Sequence, residues 1–217
     1  MAHPDWPPFD LEVRTPRLTL RPITDDVAVE LAALAARGIH DPGFMPFAMP
    51  WTRAESPRLE RQALQFYWRC RAELSPAAWN LNFGVVVDGA VVGTSGIVAT
   101  DFTRLRQFET GSWLGRDHQG RGLGTEMRLA TLTLGFVGFG AELALTGAWH
   151  DNRPSLGVTR RLGYREQGWR RALRDAERPD RLLGFEMPRA HFEAHLRRDD
   201  IELVGVEAVR ELLEITP

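Results

Sequence analysis

Apolar and polar positions alternate from Leu18 to Ile23 within "LEVRTPRLTLRPIT", the two-residue period of a half-buried strand. The period then lengthens to that of a helix over "DDVAVELAALAARG", where Thr24 or Asp25 suits the N-cap and Gly38 the close. No period runs through "IHDPGFMPFAMPWTRAESP". Its Phe44, Met45, Phe47 and Trp51 would be costly in water, so an ordered loop is expected. A second helix is predicted from Pro57 to Glu73, with Leu59, Ala63, Phe66 and Tyr67 on one face. Two valine-rich runs flank Asp88-Gly89 in "NFGVVVDGAVVGTSGIVA", which predicts a tight hairpin. The strand "QFETGSWLG" then leads into "DHQGRGLGTEMR", and a helix is expected from Thr125 to Phe139. Beyond it come the strand "LALTGAW", a short helix opening at "NRPS", the strand pair "YREQGWRRAL" and "PDRLLGFEMP", and a tail, "IELVGVEAVRELLEI", that reads as one more strand and helix.

This order is an α/β (α+β mixed) pattern with hairpins, not a uniform βαβ alternation. A chain of 217 residues, 43% of them hydrophobic, can bury one full core and fits one elaborated domain. A single domain over 1–217 is therefore expected, with 199–217 as a strand-helix appendage docked on it.

Composition narrows the chemistry. A formal net charge of -2 gives no global basic field, which argues against a nucleic-acid binder that works by neutralising phosphates. All 27 basic residues are arginine, so a lysine nucleophile, Schiff base or P-loop lysine is excluded. Cys70 is the single cysteine, which rules out an internal disulfide and a cysteine-based zinc site. The start "MAHPDWPPFD" has no apolar core of signal-peptide type, and no run approaches membrane-spanning length. Cytoplasmic residence, with no membrane and no nucleic-acid partner, is the expectation.

The stretch from Asp117 to Arg128 carries the candidate chemistry. Gly120, Gly122 and Gly124 free the backbone to turn successive N–H groups inward, directly before a helix whose first turn and dipole favour an anion. A glycine-rich surface turn is the bland alternative. The G-x-G-x-G spacing, mid-chain and after a hairpin, does not fit a Rossmann fingerprint, and a Walker loop needs lysine.

Gln119, Gly122 and Gly124 form Q-x-x-G-x-G between a strand and a helix, and "DNRPSLGVTRRLGY" follows downstream. With "RTPRLTLRPIT" at its start, the chain from about Arg14 to Pro188 resembles the GNAT (GCN5-related N-acetyltransferase) superfamily, in its ribosomal-protein-acetyltransferase-like branch. Within it, "HDPGFMPFAMPWTRA" and "GSWLG…QGRGLGTEMR" are similar to mycobacterial GNAT N-succinyltransferases. The resemblance implies the GNAT fold, a central, mostly antiparallel mixed sheet with splayed strands flanked by helices. It also implies an acyl-coenzyme A co-substrate, acetyl-CoA or succinyl-CoA, and no metal. The pyrophosphate would lie on the backbone of Gly120, Arg121, Gly122, Gly124 and Thr125 beside Gln119. The pantetheine would lie between the strand at Trp113, Leu114 and Gly115 and the one around Leu145 to Trp149, with an N–H near Leu114 placed for the oxyanion.

Asn152 and Ser155 match the family's N-x-x-[A/S] positions, and Gly163-Tyr164 stands where the family has Gly-Phe. Thr159 falls where many members carry the tyrosine that protonates the departing thiolate, which leaves Ser155 as a substitute acid; a capping hydroxyl is its other reading. Glu109, on the strand before the loop, is the first choice for general base, and an exposed strand carboxylate is the alternative. His150 is the runner-up. Phe44, Phe47, Trp51 and Arg53 are expected to shape the acceptor end, Arg53 as partner of an acyl carboxylate or else as an exposed arginine. The acceptor is a primary amine on a small molecule, peptide or protein, and a homodimer is left open. A GNAT-fold module that binds acyl-CoA without turnover is the competing function. His191 and His195 read as one surface helix face, Glu126 as a carboxylate serving the helix dipole, and Tyr164, Phe136 and Phe139 as core.

Overall fold

The computed structural model describes residues 3–175 and 178–216; the outermost ends of the expected 1–217 unit and residues 176–177 lie outside them. The alternating segment forms β2 (Thr19–Pro22), and a short strand not anticipated by the pattern, β1 (Glu12–Arg14), pairs with it. Thr24 caps α1 (Asp25–Ala36) through its hydroxyl, which accepts from the Val27 N–H. α2 (Arg58–Ala72) buries Leu59, Ala63 and Tyr67. Phe66 does not join that face: it is 43% exposed and meets Tyr67 edge-on, because the buried stripe runs 59, 63, 67 and turns position 66 outward.

The hairpin β3 (Ala78–Val87) and β4 (Ala90–Thr100) turns at Asp88-Gly89, both with positive φ as a tight turn requires. A single helical turn, α3 (Phe102–Leu105), was not legible in the pattern and leads into β5 (Gln107–Leu114). α4 (Leu123–Thr133) starts two residues before the expected Thr125 and widens into one π turn over Leu134–Gly138. Then follow β6 (Leu143–Trp149), α5 (Arg153–Arg161), β7 (Arg165–Arg174), β8 (Arg178–Pro188), α6 (Arg189–His195), β9 (Glu202–Val204) and α7 (Val206–Leu212).

Among the described residues the nine strands share one sheet in the order β7-β8-β6-β5-β4-β3-β2-β1-β9. Every pairing is antiparallel except β5 with β6. The chain end is thus sewn in: β9 pairs with β1, and Val209 and Leu213 are fully buried in the main core.

The two faces carry different helices. The register sets Thr94, Gly96 and Val98 opposite Trp113, Gly111 and Glu109 on one face, and Ser95 and Ile97 opposite Ser112 and Thr110 on the other. Trp113 packs on the cluster of Ile23, Val27, Ala28, Leu31 and Tyr67, so its face belongs to α1 and α2. Phe108 and Leu114 enter the larger core with Leu123, Met127 and Phe136, so theirs belongs to α4. Phe108 and Phe136 meet at 5.4 Å between ring centres, in the core as expected for Phe136 and Phe139.

The fit between the π turn and β5 is close. A Cβ built at Gly135 would stand 2.3 Å from the Phe108 ring, which is packed edge-on against Phe136. Gly135→Ala should therefore lower unfolding free energy by about 1–3 kcal/mol, the range for overpacking a filled core, in urea titrations. An unchanged midpoint would show that the ring can move aside.

Candidate acyl-transfer site

β5 and β6 pair only at Gln107↔Leu143, Phe108↔Ala144 and Glu109↔Leu145, and then part. Each keeps its other neighbour: β5 stays paired to β4 as far as Leu114, and β6 to β8 as far as Trp149. Two hydroxyls finish the closed end, Thr110 Oγ1 donating to Leu145 O at 3.4 Å and Thr146 Oγ1 to Thr110 O at 3.2 Å. Beyond them a slot opens. The Gly115 N–H bonds Val92 O on the β4 side, so strand alternation turns the Ser112 N–H and C=O and the Leu114 N–H toward the slot, the Leu114 C=O being taken by Gln119. On the far wall, the His150 N–H bonds Arg181 O on the β8 side, which turns Gly147 and Trp149 inward. Such edges need water or an amide-bearing ligand.

At the mouth of the slot stands the glycine loop. Gly120 and Gly122 have φ of +73° and +81°, and Gly122 is the N-cap of α4 with no side chain closing the helix end. Gly122 O accepts from the Thr125 and Glu126 N–H groups, which leaves the earlier N–H groups of the turn to face outward. Gly124 lies against α5, where an added Cβ would meet Val158 at 3.6 Å. Gln119 holds the loop from inside: its Nε2 donates to Ile39 O at 2.9 Å and Leu114 O at 2.8 Å.

Arg17 and Glu126 complete this corner, and Glu126 does more than complement a helix dipole. The buried Glu126 carboxylate accepts from Thr15 Oγ1 at 2.6 Å, Arg17 N at 3.2 Å and Arg17 Nε at 2.5 Å. Arg17 Nη1 also donates to Arg121 O at 3.2 Å, and its guanidinium stands beside Gly122. Burial pushes the Glu126 carboxyl up, but the bonds from Thr15 and Arg17 and the Arg17 charge outweigh it and hold it below its ordinary value. Arg17 is a cation at the loop that the glycine spacing did not reveal; its signal was the "TPRL" turn that matched the family.

On the α1/α2 face, the aromatic loop folds over the slot as an ordered segment. The Trp149 Nε1–H donates to Phe47 O at 3.2 Å, Phe47 and Trp51 lie 5.3 Å apart, and Trp51 meets Trp113 at 6.0 Å. The anchor is Arg174, 2% exposed. It donates to Met45 O at 2.8 and 3.0 Å, to Asp151 at 2.9 Å and to Asp180 at 3.1 Å, with Phe44 and Trp149 rings against its guanidinium. Arg53 is exposed and pairs with Asp175 at 2.8 Å. Glu109 projects on this same face at the closed end of the slot and is exposed. Beside it, an added Cβ at Gly111 would meet nothing within 4 Å, so the space between Glu109 and Trp113 is open.

The remaining expected groups fall as follows. Asn152 caps α5, its Oδ1 accepting from the Ser155 N–H at 3.2 Å. The Ser155 hydroxyl is not the cap, and among the described residues it makes no hydrogen bond. Thr159 is buried, 1% exposed. His150 Nδ1 lies 3.2 Å from Asp180 but out of hydrogen-bond alignment. Burial raises the Asp180 carboxyl, and bonds from the Arg181 N–H and Arg174 with the nearby charges bring it below its ordinary value. His191 Nε2 lies 3.2 Å from Leu162 O, and the His191 and His195 rings meet at 4.8 Å. Among the described residues, no helix is long and apolar enough to cross a membrane.

The depressed Glu126 group sets a pH dependence. Stability from a carboxyl whose folded-state pKa lies below its unfolded one is present above the unfolded value and lost as pH falls through the folded one. Glu126→Gln should cost about 1–3 kcal/mol near neutral pH, the worth of hydrogen bonds to a charged group, and the difference from wild type should shrink in acid. Urea titrations across pH that show a constant difference would remove the charge from this account.

Residues 17–165 match the family model of the acetyltransferase (GNAT) domain. Solved structures of the same fold include Mycobacterium smegmatis RimJ in complex with CoA-disulfide, at 21% identity over 92% of this chain and 99% of that one, with a TM-score of 0.68. A GCN5-related N-acetyltransferase from Brucella melitensis aligns at 18% identity over 88% and 86% of the two chains, with a TM-score of 0.66. RimL, a ribosomal L7/L12 alpha-N-protein acetyltransferase in complex with coenzyme A, aligns at 14% identity over 80% and 95%, with a TM-score of 0.66. With the glycine loop and both splayed strands inside the matched span, the chain belongs to the GNAT acetyltransferase family.

Proposed function

We propose that this chain moves an acyl group from coenzyme A to a primary amine by direct attack on the thioester. The observation that carries the reading is the slot: three paired rungs of β5 and β6, then two diverging strand edges that lead from the glycine loop to Glu109. The residues fit the co-substrate. The outward N–H groups at Gly120–Gly124 and the Arg17 cation suit a pyrophosphate, and the slot edges at Ser112, Leu114, Gly147 and Trp149 suit the amides of pantetheine.

In the proposed reaction the amine enters from the α1/α2 face, beneath Phe47 and Trp51 and beside Trp113. Glu109 takes its proton directly or through water, the Leu114 N–H supports the oxyanion, and Ser155 donates a hydrogen bond toward sulfur as charge leaves onto it. The acceptor class is a small-molecule amine or a peptide or protein amine. RimL, whose printed name places it on a ribosomal protein, supports the second. The donor is acetyl-CoA or succinyl-CoA. On the acceptor side, Arg53 and Arg174 are both ion-paired, so a succinyl carboxylate would have to displace Asp175 or an aspartate of Arg174. That favours acetyl-CoA. One observation favours the second reading, a module that binds without turnover: buried Thr159 stands where the usual acid would be.

Thiol release from acetyl-CoA and succinyl-CoA in the presence of amines and peptide N-termini separates these readings. Turnover is expected with acetyl-CoA at kcat/KM at least equal to that with succinyl-CoA. Saturable binding with no release would establish the binding module, and a preference for succinyl-CoA that Arg53→Ala abolishes would restore Arg53 as its clamp. Glu109→Gln should lower kcat/KM by about 100-fold or more and flatten the acidic limb of the pH–rate profile. Full activity with an unaltered profile would exclude Glu109 as base.

A further inference from the structure

Arg128 projects from the second turn of α4 toward the slot and is 5% exposed. Its terminal nitrogens reach one hydroxyl on each wall: Nη1 donates to Thr146 Oγ1 and Nη2 to Ser112 Oγ, both at 3.1 Å. Among the described residues no carboxylate lies within 4.0 Å of this guanidinium, and its Nε has no hydrogen-bond partner. The Tyr164 hydroxyl, at the head of β7, stands beside Arg128 and Thr110 without meeting either in hydrogen-bond geometry. Burial pushes that phenol up, with Arg128 and Thr110 opposing, so it stays neutral and leaves the Arg128 charge uncancelled. A buried cation without an acid is expensive, and it raises the value of any negative charge that forms next to it.

The two hydroxyls that accept from Arg128 use their own protons differently. Thr146 passes its proton to Thr110 O. Ser112 Oγ accepts from Arg128 and, among the described residues, donates to nothing; it is half-buried in the slot wall, two residues from Leu114. A hydroxyl polarised by a cation on its lone pair is a stronger donor. We propose that Ser112, alongside the Ser155 hydroxyl, donates a hydrogen bond to the coenzyme A sulfur as it departs, and that Arg128 acts through Ser112 as a positioning residue.

This rests on the acyl-CoA reading and deepens it. The amine nitrogen forms its bond to the thioester carbon, the C–S bond breaks with its electron pair on sulfur, and the ammonium proton goes to Glu109 or water. The thiolate meets the Ser112 O–H with the Arg128 charge behind it, and solvent protonates it after release. On the opposite face the charged groups near the slot are Glu109, Arg174 with Asp151 and Asp180, and the Arg53–Asp175 pair, with the His150 ring beside Asp180.

The test titrates the thiol of coenzyme A bound to the whole protein by its ultraviolet thiolate absorbance, with calorimetry to establish saturation. Bound to wild type, the thiol is expected to ionise at least about one pH unit below free coenzyme A, a tenfold shift in the equilibrium. Ser112→Ala should return most of that shift and lower kcat about tenfold, with KM for acyl-CoA within about threefold. Arg128→Met should do the same, and Arg128→Lys should restore part of it by reaching one hydroxyl. A wild-type bound thiol that ionises no lower than free coenzyme A overturns the proposal, as does a shift that survives Ser112→Ala. Those two measurements decide even if Arg128→Met fails to fold. Absence of saturable binding overturns the coenzyme reading itself, whereas tight binding with an unshifted thiol overturns only the role of Ser112.

Discussion

The structure depends on two neighbouring strands that stop pairing. Among the described residues β5 and β6 are the only parallel neighbours in a sheet otherwise antiparallel, and they share three rungs before they diverge. Divergence leaves backbone N–H and C=O groups without partners on both walls, a cost that no folded chain accepts for free. The surroundings keep the edges apart. Arg128 braces both walls from below through Ser112 and Thr146, Gln119 ties the end of β5 to the α1–α2 connection, and the Arg174 cluster holds the aromatic loop against Trp149 at the end of β6. Two of these braces use the guanidinium fork, which suits a chain whose basic residues are all arginine. A lysine at Arg128 is a point charge and would hold one wall rather than two.

Three of these arginines show how burial and pairing assign different work to the same side chain. Arg17, half-exposed, saturates Glu126 and still leans on the glycine loop. Arg174, almost fully buried, is matched by Asp151 and Asp180 and by a backbone carbonyl, as a structural anchor must be. Arg128 is equally buried and is matched by hydroxyls alone. An uncompensated buried charge persists where the rest of the fold over-determines it, and such positions cluster where charge will change.

Much of this was legible in the sequence because local physics and global fold agree. Asp88-Gly89 could turn only a tight hairpin, Gly122 could take its positive φ ahead of α4, and "NRPS" could open a helix with Asn152 as cap. What stayed hidden depends on where distant elements meet. Phe66 read as buried because its spacing from Leu59 and Ala63 fits a helix face, yet Tyr67 holds the covered position. Arg128 looks in any local window like a surface arginine on a helix; only the meeting of α4 with the gap between β5 and β6 buries it. Glu126 was assigned to the helix dipole because its partners, Thr15 and Arg17, lie more than a hundred residues away in sequence. A signal for the slot did exist in strand parity: Ser112 falls between Thr110 and Leu114 on the core-facing side of β5, where an apolar residue would be expected and a hydroxyl needs a reason.

That parity also separates the two halves of the proposed chemistry. Glu109 and Ser112 stand three residues apart on one strand, an odd interval that puts them on opposite faces, about 10 Å apart along it. An amine that loses its proton on the α1/α2 face and a sulfur that takes up charge on the α4 face flank a carbonyl in the slot between them. Direct transfer passes through a tetrahedral intermediate, and keeping the base and the sulfur donor on separate faces lets each act on its own atom of it. A shift of one residue in the β4–β5 register would exchange the faces and bring base and leaving group onto the wrong helices. The register is fixed by apolar packing: Phe108 against Phe136, and Trp113 seated on Ile23, Val27 and Leu31. Core packing therefore decides which face of the slot each reacting group can reach.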